Sequence, residues 1–280
     1  MILAVTKVTM YLLLRWLAVA GLAASLAVVL GACTSSPTTG TQRQPEPPPA
    51  TVKLQEVTPQ DRAILHVDLG AGYYERGQMD VALEELNEAA KLDPNNARIY
   101  NIYGLVYTML GENPKAEQNF QRALSLAPQD SDIRHNWGWY LCSNGRPRES
   151  IPEFEMALRN PLYKTPEIAL VNAGRCSVAF GDTAGAEVFF RRAVAGAPNN
   201  AGANYGLALI AYRAGRLDEA RGFARRLTQQ PASAPEALYL GMCIEKKAGD
   251  RGAELSYVSQ LRNRYPDSAE TKAIASGACE

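Results

Sequence analysis

Asn136–Ser150 reads NWGWYLCSNGRPRES, bringing two tryptophans, a tyrosine and a cysteine into less than two helical turns. Aromatic side chains beside a thiol can line a binding or redox site, or they can form the buried seam of a scaffold. The cysteines of the chain, Cys33, Cys142, Cys176, Cys243 and Cys279, offer acylation, disulfide bonding or thiol redox chemistry. A redox-active pair would typically be spaced Cys-x-x-Cys, and that spacing is absent. The only histidines are His66 and His135.

Other enzyme chemistries find no footing. The chain has no His-Glu-x-x-His, no Walker-type Gly-Lys-Ser/Thr and no Gly-x-Ser-x-Gly. The stretch LGAGYYERG, starting at Leu69, imitates a dinucleotide fingerprint, but its third glycine is misplaced and no strand precedes it. Acidic neighbours such as Glu84 and Glu85 read as a solvated helix face. No nucleophile is assembled with a base, so we expect no catalytic residue, metal ligand, cofactor or small-molecule substrate. The 29 Lys+Arg balance 29 Asp+Glu, which leaves no electrostatic footprint for nucleic acid. With 46% hydrophobic and 21% charged residues, the composition is that of a folded protein.

The elements that must position these residues begin after a distinct N-terminal segment. Arg15 precedes an apolar run from Trp16 to Leu30, followed by Leu30-Gly31-Ala32-Cys33. A charged n-region, a short apolar core and small residues before a cleavage point make a signal peptide over residues 1–32, starting at Met1 or Met10. A membrane anchor is the competing reading; the run is short for one and lacks charges on its far side. Leu-Gly-Ala-Cys resembles the lipobox of bacterial lipoproteins, which implies acylation of Cys33 and, with Thr34 next, sorting to the outer membrane. Residues 33–59 are rich in Thr, Ser and Pro and bury too little to offset ordering entropy. They read as a disordered tether that would reach roughly 80 Å at about 3.1 Å per residue.

From Ala63 onward the chain repeats itself. Gly70, Gly104, Gly138 and Gly174 are each followed by a second glycine at Gly77, Gly111, Gly145 and Gly181. Then come Ala82, Ala116, Ser150 and Ala186; Leu86, Phe120, Phe154 and Phe190; and Pro94, Pro128, Pro161 and Pro198. The order resembles the tetratricopeptide repeat, whose period is about 34 residues. Small residues let two helices cross closely, the second glycine ends the first helix, and proline stops the second. The fold expected is all-α, a right-handed superhelical solenoid of six such repeats, over residues 63–96, 97–130, 131–164, 167–200, 201–234 and 235–268. Residues 269–280 would form a C-terminal capping helix. Thr165 and Pro166 interrupt the register, and repeats five and six are degenerate, with Ala208 and Met242 at the first glycine position.

In this frame Trp137 packs between helices, while Asn136 and Trp139 face the concave surface. Helical periodicity places Asn101 with Leu105, Asn172 with Arg175, and Tyr205 with Leu209 and Tyr212 on comparable faces. Aromatics and amides with few charges suit an extended or helical peptide; partly buried packing is the alternative for several of these residues. Cys142 and Cys176 fall on the first helices of neighbouring repeats at similar heights, where an oxidising compartment would join them. Cys243 and Cys279 have a similar spacing and form a second candidate pair.

A more specific resemblance lies in Asn136–Cys176. Its elements Asn136-x-Gly138-Trp139-x-Leu141-Cys142, Asn160-Pro161-Leu162-Tyr163 and Asn172-Ala173-Gly174-x-Cys176 are similar to the core of the PilF/PilW family of type IV pilus biogenesis lipoproteins. The resemblance departs at the fifth and sixth repeats. It implies a pilotin at the periplasmic face of the outer membrane, held there by an N-terminal lipid, whose partner is the secretin subunit of the type IV pilus. Two other readings stay open: a scaffold lipoprotein of another envelope assembly machine, and an envelope hydrolase or oxidoreductase with an unrecognised site.

Overall fold

Thr58 fixes where the ordered architecture starts. Its Oγ1 accepts from the backbone N–H of Asp61 at 3.1 Å, and its own N–H donates to Asp61 Oδ2 at 2.9 Å. This reciprocal capping box, with proline at the next position, launches helix α1 (Pro59–Glu75) a full turn before Ala63. Pro59, expected as the last residue of the tether, is the first residue of this helix, and the first repeat carries an extra N-terminal turn. The computed structural model describes residues 57–229, 233–277 and 279; the signal segment, Cys33 and the rest of the tether lie outside them.

All regular structure among the described residues is helical. Helix α1 pairs with α2 (Met79–Leu92), α3 (Ala97–Met109) with α4 (Asn113–Leu126), and α5 (Ser131–Ser143) with α6 (Pro147–Ala157). Helix α7 (Pro166–Ala179) pairs with α8 (Thr183–Gly196), α9 (Ala201–Arg213) with α10 (Leu217–Thr228), and α11 (Pro235–Ala248) with α12 (Arg251–Arg264). Each first helix also packs on the second helix of the hairpin before it and touches the first helices beside it. The result is a stack of six helical hairpins. A short α13 (Ala269–Ala273) and a 3-10 turn at Ile274–Ser276 close it against α11 and α12.

The two glycines of each repeat have different tasks. Gly145 adopts φ 77, a left-handed conformation that lets α5 end and the chain reverse into α6. The matching turn glycines share this conformation in all six hairpins. Gly104 is instead a close-approach residue, since a Cβ there would stand 2.7 Å from Cε1 of Phe120. Phe120, Phe154 and Phe190 are essentially inaccessible to solvent, each filling the space opposite such a glycine.

The sixth repeat corrects the sequence reading. Met242 is buried, but Gly241 is the close-approach residue, with Tyr257 against it; a Cβ at Gly241 would lie 2.8 Å from Tyr257 Cζ. Glycine and aromatic keep the same interval as Gly104 and Phe120, and the pair has slid by one residue relative to the turn glycine Gly249. In the fifth repeat both positions are small, Ala208 and Ala224, and both are buried.

Candidate functional site

The aromatic stretch is mostly seam. Trp137 is 7% exposed and stacks on Tyr140 with ring centroids 5.3 Å apart, while Phe120 of the preceding hairpin tilts against both rings. Tyr140 donates its hydroxyl proton to the Asn113 carbonyl at 3.0 Å, so the polar end of the cluster is satisfied. Trp139, on the other side of α5, is only half-buried.

The concave positions divide into three kinds. Asn101 and Tyr212, expected in the groove, are buried at 6% and 8% exposure. Asn101 lies one residue earlier in the repeat register than Asn136, at the place His135 holds in the next repeat, and it accepts a hydrogen bond from Asn136 Nδ2 at 3.2 Å. Tyr212 is drawn inward because its hydroxyl donates to the Cys279 carbonyl at 2.9 Å, and Lys247 lies over its ring. Leu105, Asn136, Trp139, Asn172, Tyr205 and Leu209 are half-buried, and Arg175 is exposed.

A network that the sequence did not reveal organises the junction between repeats three and four. His135 Nε2 lies 2.9 Å from Asn172 Nδ2, and His135 Nδ1 lies 2.8 Å from the Tyr163 hydroxyl. An amide nitrogen can only donate, so Nε2 accepts, and the proton of the neutral ring belongs on Nδ1, directed at the tyrosine oxygen. Burial pushes the imidazole down to about 4 and the Tyr163 phenol up to about 12. Tyr163 stands on the lengthened connection between α6 and α7, so this connection supplies one arm of the polar clamp.

Beyond the clamp the surface opens. A cavity of about 670 Å³ lies where α9 crosses α7 and α8, floored by Phe190, Gly206 and Ile210 and walled by Val178, Ala184 and Leu209. Gly202 and Gly206 let neighbours pack onto the backbone of α9: a Cβ at Gly202 would collide with Val171, and one at Gly206 with the Phe190 ring. Arg175 and Arg213 stand at the rim. Tyr205 and Leu209 continue the lining toward Tyr239 and Cys279, and a second depression of about 370 Å³ shares Arg175, Gly202 and Tyr205.

Two disulfides bracket this region. Cys142 and Cys176 are bonded with Cα atoms 5.9 Å apart, linking α5 to α7; Cys243 and Cys279 are bonded with Cα atoms 5.5 Å apart, linking α11 to the C-terminal segment. Among the described residues no group of three or more His, Cys, Asp or Glu could hold a metal ion, and no helix is long and apolar enough to cross a membrane.

Profiles described as tetratricopeptide or TPR repeats match residues 70–111, 97–130, 135–201 and 177–240. The type IV pilus assembly protein PilF of Pseudomonas aeruginosa is 26% identical over 205 residues, 73% of this chain and 81% of that protein. The crystal structure of PilW, described as a widely conserved type IV pilus biogenesis factor, is 31% identical with a TM-score of 0.69, covering 76% of this chain and 98% of that one. The chain belongs to the PilF/PilW family. A structure of Pseudomonas aeruginosa PilF, 23% identical with a TM-score of 0.71 over 79% of this chain and 99% of its own, shares the fold.

Within this PilF/PilW-family chain, the residues that sequence reasoning passed over are His135, Tyr163 and the paired glycines of α9. Tyr163 belongs to the Asn-Pro-Leu-Tyr element, which was its one visible signal. Gly202 and Gly206 are spaced a helical turn apart in a helix, where glycine is costly and asks for a packing reason.

Proposed function

We propose that this protein is an outer-membrane lipoprotein, acylated at Cys33, that acts as a pilotin in type IV pilus biogenesis. It binds the secretin subunit through its concave surface and promotes secretin multimerisation at the outer membrane. The reading is carried by the 31% identity to PilW over 98% of that structure. The folded part supports it in kind: a solenoid with a half-polar groove is a surface for a protein chain, and its disulfides suit an oxidising envelope.

The test is a deletion strain assayed for detergent-resistant secretin multimers and for surface pili. Loss of both, restored by the wild-type gene, is the expected result. Multimers at wild-type levels and in the wild-type membrane would overturn the pilotin assignment.

A further inference from the structure

The strongest unexplained feature is the cavity at the fourth and fifth repeats. Counting back by a repeat of about 34 residues, with the insertion at Thr165–Pro166 included, the positions of Gly202 and Gly206 are held by Ile168 and Asn172 in repeat four. In repeat three they are Asp132 and Asn136, and in repeat two Arg98 and Ile102. Only in the fifth repeat are both glycine; Val171 packs against Gly202 and Phe190 against Gly206, and a cavity of about 670 Å³ opens beside them. That volume is within the range of sites that engulf a large side chain or a compact ligand, roughly 300–1,000 Å³.

Its charges are uneven. Glu187, the one carboxylate of the lining, is held at 2.9 Å by Arg216 and at 2.6 Å by Arg191. Arg175 and Arg213 have no carboxylate within salt-bridge distance among the described residues. Arg213 gains from the carbonyl end of α9. Arg175 lies mid-helix, its guanidinium beside Gly202, and that argument does not reach it. An apolar floor beneath two uncompensated guanidinium groups is complementary to an apolar anchor flanked by carboxylates. The cavity also runs on through Tyr205 into the two neighbouring depressions, so the groove can follow a chain.

We propose that this cavity is a peptide-docking site: it takes one phenylalanine-sized or larger apolar side chain of a partner protein, with acidic residues of the same segment paired to Arg175 and Arg213. The assignment does not depend on the partner being the secretin. It lies at the Arg175, Tyr205 and Leu209 end of the groove expected from the sequence, and it places the apolar anchor there rather than at Trp139.

The experiment uses the purified, oxidised protein and fluorescein-labelled ten-residue peptides in fluorescence anisotropy. The probe has a central phenylalanine flanked by Asp and Glu; its controls carry alanine at the centre, or Lys and Arg on the flanks. The acidic phenylalanine peptide should bind at least tenfold more tightly than either control, and raising salt should weaken it. Ala184→Trp fills the cavity from an exposed position on α8, and Arg175→Glu combined with Arg213→Glu reverses the rim. Each should reduce binding at least tenfold with an unchanged melting temperature. Equal binding of the basic peptide, undiminished binding to the Ala184→Trp protein, or no binding of the acidic phenylalanine peptide at all would overturn the proposal. None of these results bears on secretin multimers in cells, so the two assignments fail separately.

Discussion

Asn172 Nδ2 meets His135 Nε2 at 2.9 Å across the boundary between the third and fourth repeats. The bond turns a residue expected to face a ligand into one that also holds two hairpins in register. Asn172→Ala strips a buried acceptor of its donor, an omission that costs about 1–3 kcal/mol. The melting temperature of the variant, compared with that of Trp139→Ala, measures it. An unchanged melting temperature for Asn172→Ala would return the residue to a purely groove-facing role.

The same histidine makes stability depend on pH. Its pKa lies near 4 in the folded chain and near 6.5 when unfolded, so below 6.5 the unfolded state binds the extra proton. Its contribution is therefore fully present above pH 6.5 and is lost as pH falls toward 4, with a slope of at most about 1.4 kcal/mol per pH unit. Denaturant unfolding from pH 8 to pH 4 should show this slope in the wild type and a shallower one in His135→Gln. Parallel profiles would remove His135 as the cause.

Cys142 and Cys176 close a loop one repeat long. The chain-entropy account assigns such a bond about 3–4 kcal/mol. Cys142→Ser should lower the melting temperature, and adding Cys176→Ser should change little further, because the bond is already gone. Thiol labelling of the folded, non-reduced protein should find neither cysteine. Labelling at both would mean that the bond does not form in solution.

Gly241→Ala tests whether the sixth repeat is built like the others. The added methyl has to displace the Tyr257 ring, an overpacking cost of about 1–3 kcal/mol, comparable to that of Gly104→Ala against Phe120. Chemical denaturation of both variants makes the comparison. A harmless Gly241→Ala would show that Tyr257 swings away freely and that the repeat has lost its close crossing.

The lipid assignment has its own measurement. Cys33→Ser should move the protein from the outer-membrane fraction to the soluble periplasm, and mass spectrometry of the wild-type mature chain should find the acyl groups on Cys33. A mature N-terminus elsewhere, unmodified, would end that assignment.

The solenoid could be read from glycine, alanine and aromatic spacing because each of those residues answers a local demand. Gly145 must turn left-handed, and Gly104 must admit Phe120. The sixth repeat was misread at Met242 because glycine and tyrosine moved together, which preserves the crossing while breaking the count. The site was less legible. Asn101 was placed one residue out of register, and Tyr212 is claimed by a carbonyl at the far end of the chain, Cys279. The His135 clamp joins three segments, α5, α7 and the connection that carries Tyr163, through side chains that no repeat pattern brings together. The cavity depends on how Val171 and Phe190 pack against Gly202 and Gly206, which does not follow from a repeat pattern.

The bond between Cys142 and Cys176 also sets how the molecule would behave under load. Hairpins in a stack hold mainly to their neighbours, so a pull on the N-terminal end peels them in order, and the first two, which carry no disulfide, act as a mechanical fuse. At Cys142 the tension passes through the sulfurs to Cys176 and bypasses the residues between. That length, on the order of 110 Å if fully drawn out, is withheld from extension. Stretching single molecules with and without reductant would reveal it as a missing step. Such a tie keeps the residues between the two cysteines from being drawn out after the leading hairpins have given way.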